Sequence, residues 1–265
     1  MKLITVIGCG AIGEAVVRYL ADHDDVAVAA AIVEPGTDAR ARDMFGSDVQ
    51  IAYDFDSVSA NVDLAADCAG HPALRQHGEA ILSSGTDLVS VSSGALADAD
   101  LYERLAAAAR RGGSQLRLVS GAIGALDALA ASSTGTLMRV TYRGRKPPQG
   151  WRGSPAESKL DLDALSEATV HFSGSARDAA LEYPKNANVA ASVALAGLGF
   201  DDTRVELIAD PGIERNVHEI VAEGDFGRFE FRIEGKSLPD NPRSSAITAM
   251  SVVREILNPT SPIVI

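Results

Sequence analysis

Two rhythms of apolar and polar residues divide this chain. Up to about residue 130, short unbroken apolar runs alternate with stretches in which apolar residues recur every three or four positions. "LITVI" (3–7), "VAVAAAIV" (26–33), "VDLAADCAG" (62–70), "TDLVSV" (86–91) and "QLRLVS" (115–120) are runs of the first kind. Their composition suits strands buried on both faces. "EAVVRYL", "ALRQHGEAIL" and "ADLYERLAAAARR" are periodic in the helical sense. Pro72 stands where the second of these helices opens. Asp98 is placed to cap the third, whose Leu101, Leu105 and Ala108 share a face and which Gly112 and Gly113 end. Strands and helices in alternation predict a Rossmann-type, doubly wound parallel sheet.

After about residue 130 the strands lengthen and alternate. "TLMRVTYRGRKP", "ATVHFSGSA", "TRVELIAD", "RNVHEIVAE" and "GRFEFRIEG" predict a second α/β domain with a mostly antiparallel sheet. In the last strand Phe229, Phe231 and Ile233 face one way and Arg228, Glu230 and Arg232 the other, and "EGDFG" is its hairpin turn. One helix, "NANVAASVALAGLG", interrupts these strands after Pro184. A last helix, "SSAITAMSVVREIL", lies between Pro242 and Pro259, with Ser244 and Ser245 placed to cap it. The expected domains are 1–120 for a dinucleotide, 121–240 for substrate and catalysis, and 241–265 as a terminal helix and tail packing back on the first domain.

Composition narrows the function. A formal net charge of −12 excludes a nucleic-acid binder, which needs a basic face. No run approaches the roughly 20 apolar residues of a membrane span. Two cysteines, Cys9 and Cys68, make neither a disulfide framework nor a metal site, and they fit a reducing cytoplasm. A small-molecule substrate and no metal are therefore expected.

The first loop carries the clearest chemistry. Gly8, Gly10 and Gly13 form G-x-G-x-x-G between a strand and a helix, the context in which that motif means dinucleotide binding. Gly8 makes the tight turn, Gly10 lets the pyrophosphate approach the backbone, and Gly13 lets the helix lie close on the strand. With Ala11 and Ile12 they form the expected phosphate cradle at a helix N-terminus. Glu34 follows the second strand, 21 residues after Gly13, where an acid grips the adenosine ribose. Arg40 and Arg42 stand nearby to receive a 2′-phosphate, so the cofactor is NAD or NADP.

Five histidines compete for proton transfer: His23, His71, His77, His171 and His218. An unperturbed imidazole titrates near pH ~6.5, which suits a proton carrier. His218 shares a strand face with Asn216 and Ile220, and His71 follows a strand end. On the residues alone, a histidine in a strand is as readily a hydrogen-bonded structural group.

The segments "GCGAIG" (8–13), "SGAIGALDAL" (120–129), "GRKP" (144–147), "FSGSARDAA" (172–180), "YPKNANVAA" (183–191), "NVHEI" (216–220), "GDFG" (224–227) and "NPRSSA" (241–246) together resemble the L-aspartate dehydrogenase family. The resemblance runs the length of the chain, and "YPKNANVAA" with "NVHEI" is its most specific part. It implies NAD- or NADP-dependent oxidation of L-aspartate to iminoaspartate, then oxaloacetate and ammonia, feeding NAD biosynthesis. It also implies that His218 is catalytic and that Ala122 and Asn188 contact the cofactor. Arg145, Lys146 and Lys185 stand in the matching motifs and are the candidate partners of the substrate carboxylates. An exposed sheet face in the second domain suggests a homodimer. The competing readings are a dehydrogenase of another small amino or hydroxy acid, and an NAD(H)-sensing protein without turnover.

Overall fold

The computed structural model describes residues 1–184, 186, 188–238 and 241–263. The chain forms two compact units, Met1–Val119 with the segment from Thr248 onward, and Ser120–Ile247.

The first unit contains β1 (Lys2–Ile7), α1 (Ala11–Leu20), β2 (Val26–Ile32), α2 (Asp38–Phe45), β3 (Gln50–Ala52), β4 (Leu64–Asp67), α3 (His71–Ser83), β5 (Asp87–Ser90), α4 (Ala99–Gly112) and β6 (Leu116–Leu118). Its strands pair in the order β3-β2-β1-β4-β5-β6, all parallel. That is the order of a doubly wound dinucleotide fold, with its reversal beside β1. The apolar runs become this sheet because helices cover both faces: Ile4, Leu64, Leu88 and Val89 are fully buried. Asp98 caps α4 by accepting the backbone N–H groups of Asp100 and Leu101. Leu101, Leu105 and Ala108 face inward, and Gly113 ends the helix in the left-handed region. The pattern gave no sign of α2 or β3, whose sequences "DARARDMF" and "QIA" are too polar or too short to carry a period.

The second unit contains α5 (Leu126–Ser132), β7 (Leu137–Lys146), β8 (Thr169–Ser175), α6 (Ala176–Glu182), α7 (Asn188–Ala196), α8 (Gly199–Asp202), β9 (Arg204–Ala209), β10 (Asn216–Gly224), β11 (Gly227–Gly235), β12 (Ser237–Leu238) and β13 (Asn241–Ser245), and α9 (Ala246–Leu257) follows. Five strands pair as β11-β10-β7-β9-β8. Three of the four pairings are antiparallel, and β7 with β9 is parallel. The helical segment is more broken than the sequence suggests. Ser175 accepts the backbone N–H of Asp178 and starts α6 directly at the end of β8, and Gly199 starts the single turn of α8. Ser245 does not cap α9 through its side chain: its hydroxyl is buried without a partner among the described residues. The side chain of Ser244 lies outside the described residues.

Candidate active site

In the first unit, the loop between β1 and α1 opens on a cavity of about 320 Å³. Gly8 has φ +95°, and a Cβ there would meet the Ala69 Cβ at 2.7 Å. A Cβ on Gly13 would lie 2.5 Å from the Gly8 carbonyl oxygen, so α1 can approach β1 only without one. Gly10 differs: a Cβ there meets nothing within 4 Å. Its missing side chain opens space that no other part of the protein fills. Gly10 is also the N-cap of α1 and offers no side-chain hydrogen bond to the helix N–H groups. Ala11 and Ile12 form the first turn of α1, where unpaired N–H groups and the dipole favour an anion. Glu34, exposed beyond the end of β2, lines the same cavity with Thr37, Arg40 and Tyr53. These features fit a dinucleotide, with its phosphates on α1 and its ribose toward Glu34.

The two arginines beside Glu34 separate. Arg40 reaches the cavity and stands 3.8 Å from Glu14, both side chains exposed. Arg42 donates to the carbonyls of Ser47 and Val49, which corrects the expectation that it serves a 2′-phosphate. Its guanidinium instead ties α2 to the loop before β3.

Asp67, at the end of β4, is a buried carboxylate that the pattern gave no reason to single out. It accepts hydrogen bonds from the Ser90 and Ser92 hydroxyls at 2.7 Å, and from the N–H groups of Ala69 and Gly70. Burial pushes its carboxyl up, against the four hydrogen bonds that pull it down. It pins together the chain ends after β4 and β5, where ligands of such sheets bind. Its only signal in sequence was an acid ending an apolar run.

In the second unit, His218 lies on β10 opposite Gly144 of β7. The ring is 4% exposed. Its Nδ1 is 2.7 Å from the Tyr142 hydroxyl, and the two rings lie within 15° of parallel. Burial first, and the charge of Lys146 second, push its pKa down to about 3. The imidazole is therefore neutral at neutral pH, which corrects the expectation of an unperturbed titration. Burial pushes the Tyr142 phenol up, so it stays protonated.

Lys146 belongs to the same strand face as Tyr142, two positions apart twice over. Its ammonium is 8% exposed as a residue, donates to Asn186 Oδ1 at 2.7 Å, and stands 5.0 Å from the centre of the Trp151 ring. Arg145 points to the other face and donates to Asp210 at 2.9 Å. The structure thus groups Lys146 with His218 and sets Arg145 on the other face, because alternation along β7 sends neighbouring side chains to opposite faces. Lys185 lies outside the described residues. Asn188 is the first residue of α7. Ala122 sits in a constrained turn between Gly121, at φ 65°, and Ala125, at φ 60°. A non-glycine residue in that region costs roughly 1–2 kcal/mol.

A second buried histidine, His171, has its Nδ1 3.1 Å from the Tyr183 hydroxyl and its edge against Trp151. Burial first, then Lys159, push its pKa down to about 4. His71 opens α3 and is half-buried.

A family model described as aspartate dehydrogenase, C-terminal, matches residues 127–259, and one described as homoserine dehydrogenase, NAD binding domain, matches residues 8–118. An L-aspartate dehydrogenase of Ruegeria pomeroyi is 56% identical over 250 residues, spanning 94% of this chain and 90% of that one. An L-aspartate dehydrogenase of Ralstonia pickettii is 48% identical over 261 residues, spanning 97% of each. Among solved structures, an aspartate dehydrogenase from Thermotoga maritima superimposes with a TM-score of 0.78 at 26% identity, covering 100% of this chain and 99% of that one.

Proposed function

The chain belongs to the aspartate dehydrogenase family, and we propose that it oxidises L-aspartate with NAD or NADP to iminoaspartate, which water converts to oxaloacetate and ammonia, in either direction. The observation that carries this reading is a buried His218 hydrogen-bonded to Tyr142, on the sheet face that Tyr142 shares with Lys146. We assign the phosphates and ribose of the cofactor to the first unit and the proton chemistry to the second.

A nicotinamide bound there would supply the acceptor for the hydride on Cα of aspartate. Gly8, Gly10, Ala11, Ile12 and Gly13 would hold the phosphates and Glu34 the ribose; the resemblance to the family adds Ala122 and Asn188 as cofactor contacts. The amine must be neutral before Cα can lose hydride, and His218, uncharged at neutral pH, receives that proton. Its low pKa belongs to the ligand-free protein. A substrate carboxylate beside the ring offsets the Lys146 charge and raises the imidazolium's stability. The proton held on His218 is then available when water adds to the imine and ammonia leaves. Lys146 binds a substrate carboxylate as a point charge, exchanging its bond to Asn186 for one to the ligand. Iminoaspartate that leaves before water adds is a precursor for pyridine nucleotide synthesis.

The outward face of the second sheet supports a homodimer. Arg139, Arg143 and Arg228 alternate there with Glu206, Glu223 and Glu230 around a shallow cavity. Both signs on one face suit a two-fold contact. Two buried free thiols suit a reducing compartment, and we place the enzyme in the cytoplasm.

The test is an assay of purified protein with NADH or NADPH, ammonia and a panel of 2-oxo acids, followed at the nicotinamide absorbance. Oxaloacetate should be reduced best. Faster turnover of pyruvate or 2-oxoglutarate would point to a dehydrogenase of another amino acid, and no turnover with intact NADH binding to a sensor.

A further inference from the structure

We propose that Tyr142 is a positioning residue for His218, and that Gly144 is a glycine because the Tyr142 hydroxyl needs its space. The inference rests on the reading of His218 as the proton carrier.

The register of β7 and β10 sets the arrangement. His218 stands opposite Gly144, and Ile220 opposite Tyr142. Tyr142 and Gly144 lie on one face of β7, so the tyrosine must lean along its own strand to reach His218. It does so across Gly144. A Cβ on Gly144 would lie 2.7 Å from the Tyr142 hydroxyl oxygen and 3.2 Å from its Cζ. A side chain at 144 would force the Tyr142 hydroxyl to shift from the observed bond. Both rings are enclosed: Tyr142 is 1% exposed, and Val217 and Ile220 beside it are fully buried.

The contact has a chemical use. The phenol oxygen accepts from Nδ1–H. That holds the neutral ring in the Nδ1–H tautomer and leaves the Nε2 lone pair to take the proton of the reacting amine. When Nε2 is protonated, Nδ1–H still donates to the same oxygen. Because burial keeps the phenol protonated, the partner stays uncharged across the working pH range. The phenol moves no proton to substrate itself; it acts through His218.

Three variants test this. Tyr142→Phe keeps the ring volume and removes the hydroxyl. Its kcat should fall roughly tenfold, the equivalent of one lost hydrogen bond to the reacting group, with NADH affinity unchanged and the acidic limb of the pH profile displaced. Nitrogen NMR of labelled His218 should show one tautomer in the wild type and a mixture in Tyr142→Phe. Gly144→Ala should lower both kcat and Tm. In the Tyr142→Phe background the same alanine should cost less, because the closest atom is gone and only Cζ at 3.2 Å and Leu207 Cδ2 at 3.3 Å remain. An unchanged tautomer population together with unchanged kcat in Tyr142→Phe overturns the proposal. So does full additivity of the two substitutions in Tm. If His218→Ala retains full turnover, the catalytic reading fails instead; the tautomer and the Tm coupling still decide whether Tyr142 and Gly144 hold the ring.

Discussion

Gly10 in the first unit and Gly144 in the second are both required to be small, for opposite reasons. Around Gly10 the missing side chain faces open space at a helix N-terminus, and no atom of the described residues lies within 4 Å of where its Cβ would be. Around Gly144 the space is already taken by the Tyr142 hydroxyl. The first glycine leaves room for a ligand, and the second leaves room for a side chain of the same protein. The proposed cofactor site is thus built from backbone, and its chemistry would lie in N–H groups and a dipole. The proposed proton-transfer site is built from buried side chains, and its chemistry would depend on their register. Substitutions at the two places should separate into different classes of defect.

The largest effect is expected at His218. Alanine there should lower kcat by roughly 10²–10⁴-fold, the usual worth of a positioned general acid–base, while NADH affinity measured by fluorescence changes little. Because the ring is enclosed and bonded to Tyr142, stability should fall as well, by about 1–3 kcal/mol for an unpaired buried hydroxyl. Activity per folded molecule separates the two effects. A folded His218→Ala enzyme with near-normal kcat would remove the catalytic assignment and redirect it to His71.

Next come the loop glycines as a matched pair. Gly13→Ala places a Cβ against the Gly8 carbonyl, so α1 must move; Tm should drop by several degrees and NADH binding should be lost with it. Gly10→Ala meets no protein atom, so Tm should hold, yet NADH affinity should fall by about tenfold or more, since roughly 1.4 kcal/mol corresponds to each tenfold. Normal NADH binding by Gly10→Ala would mean that the phosphates lie elsewhere.

The difference between the two sites also explains what the sequence made legible. G-x-G-x-x-G, the Asp98 cap, Pro72 in the first turn of α3 and the "EGDFG" hairpin are local: each is decided within a few residues, and each was readable. The Tyr142–His218 contact joins residues 76 apart, and it exists because β10 pairs with β7 in one register and not in a neighbouring one. A shift of one residue would send His218 to the other face. The same register sends Arg145 to Asp210 and Lys146 toward His218, although the two are neighbours in "GRKP". Arg42 was misread for a related reason. Proximity to Glu34 in sequence does not reveal that the Ser47 and Val49 carbonyls hold its guanidinium. Asp67 was invisible because its meaning lies in Ser90 and Ser92, on the next strand and the turn after it.

A smaller effect is expected at the ribose end. Glu34→Ala should shift the ratio of kcat/KM for NAD over NADP toward NADP by about tenfold, the equivalent of one charged hydrogen bond. Arg40→Ala should shift it the other way, while Arg42→Ala should leave the ratio unchanged and lower Tm. An unchanged ratio in Glu34→Ala would place the ribose away from that carboxylate.

The smallest effect tests whether the buried histidines of the second unit are neutral. Burial holds His218 at a pKa of about 3 and His171 at about 4. In the unfolded chain both return to about 6.5. Between those values the unfolded state binds more protons, so folding stability rises with pH there and is lost as pH falls below about 6.5. Carboxylates with depressed pKa, such as Asp98 and Asp201, act lower, below the unfolded carboxylate range, and Asp67, with a raised pKa, acts in the opposite sense. Asp67 is common to the wild type and a histidine variant, so their difference between pH 7 and 5 isolates the histidine. His171→Gln keeps a hydrogen-bonding partner for Tyr183 and removes the titration. At pH 7 it should melt below the wild type, because the amide fills the site against Trp151 less well. At pH 5 the wild type bears the cost of keeping His171 neutral and the variant does not, so the gap in Tm should narrow. The change should be on the order of 1 kcal/mol after solvent screening, or ~2–4 °C for a protein of this size. A gap of the same width at both pH values would mean that His171 titrates normally in the folded protein, and that burial beside Trp151 and Tyr183 does not hold the ring neutral.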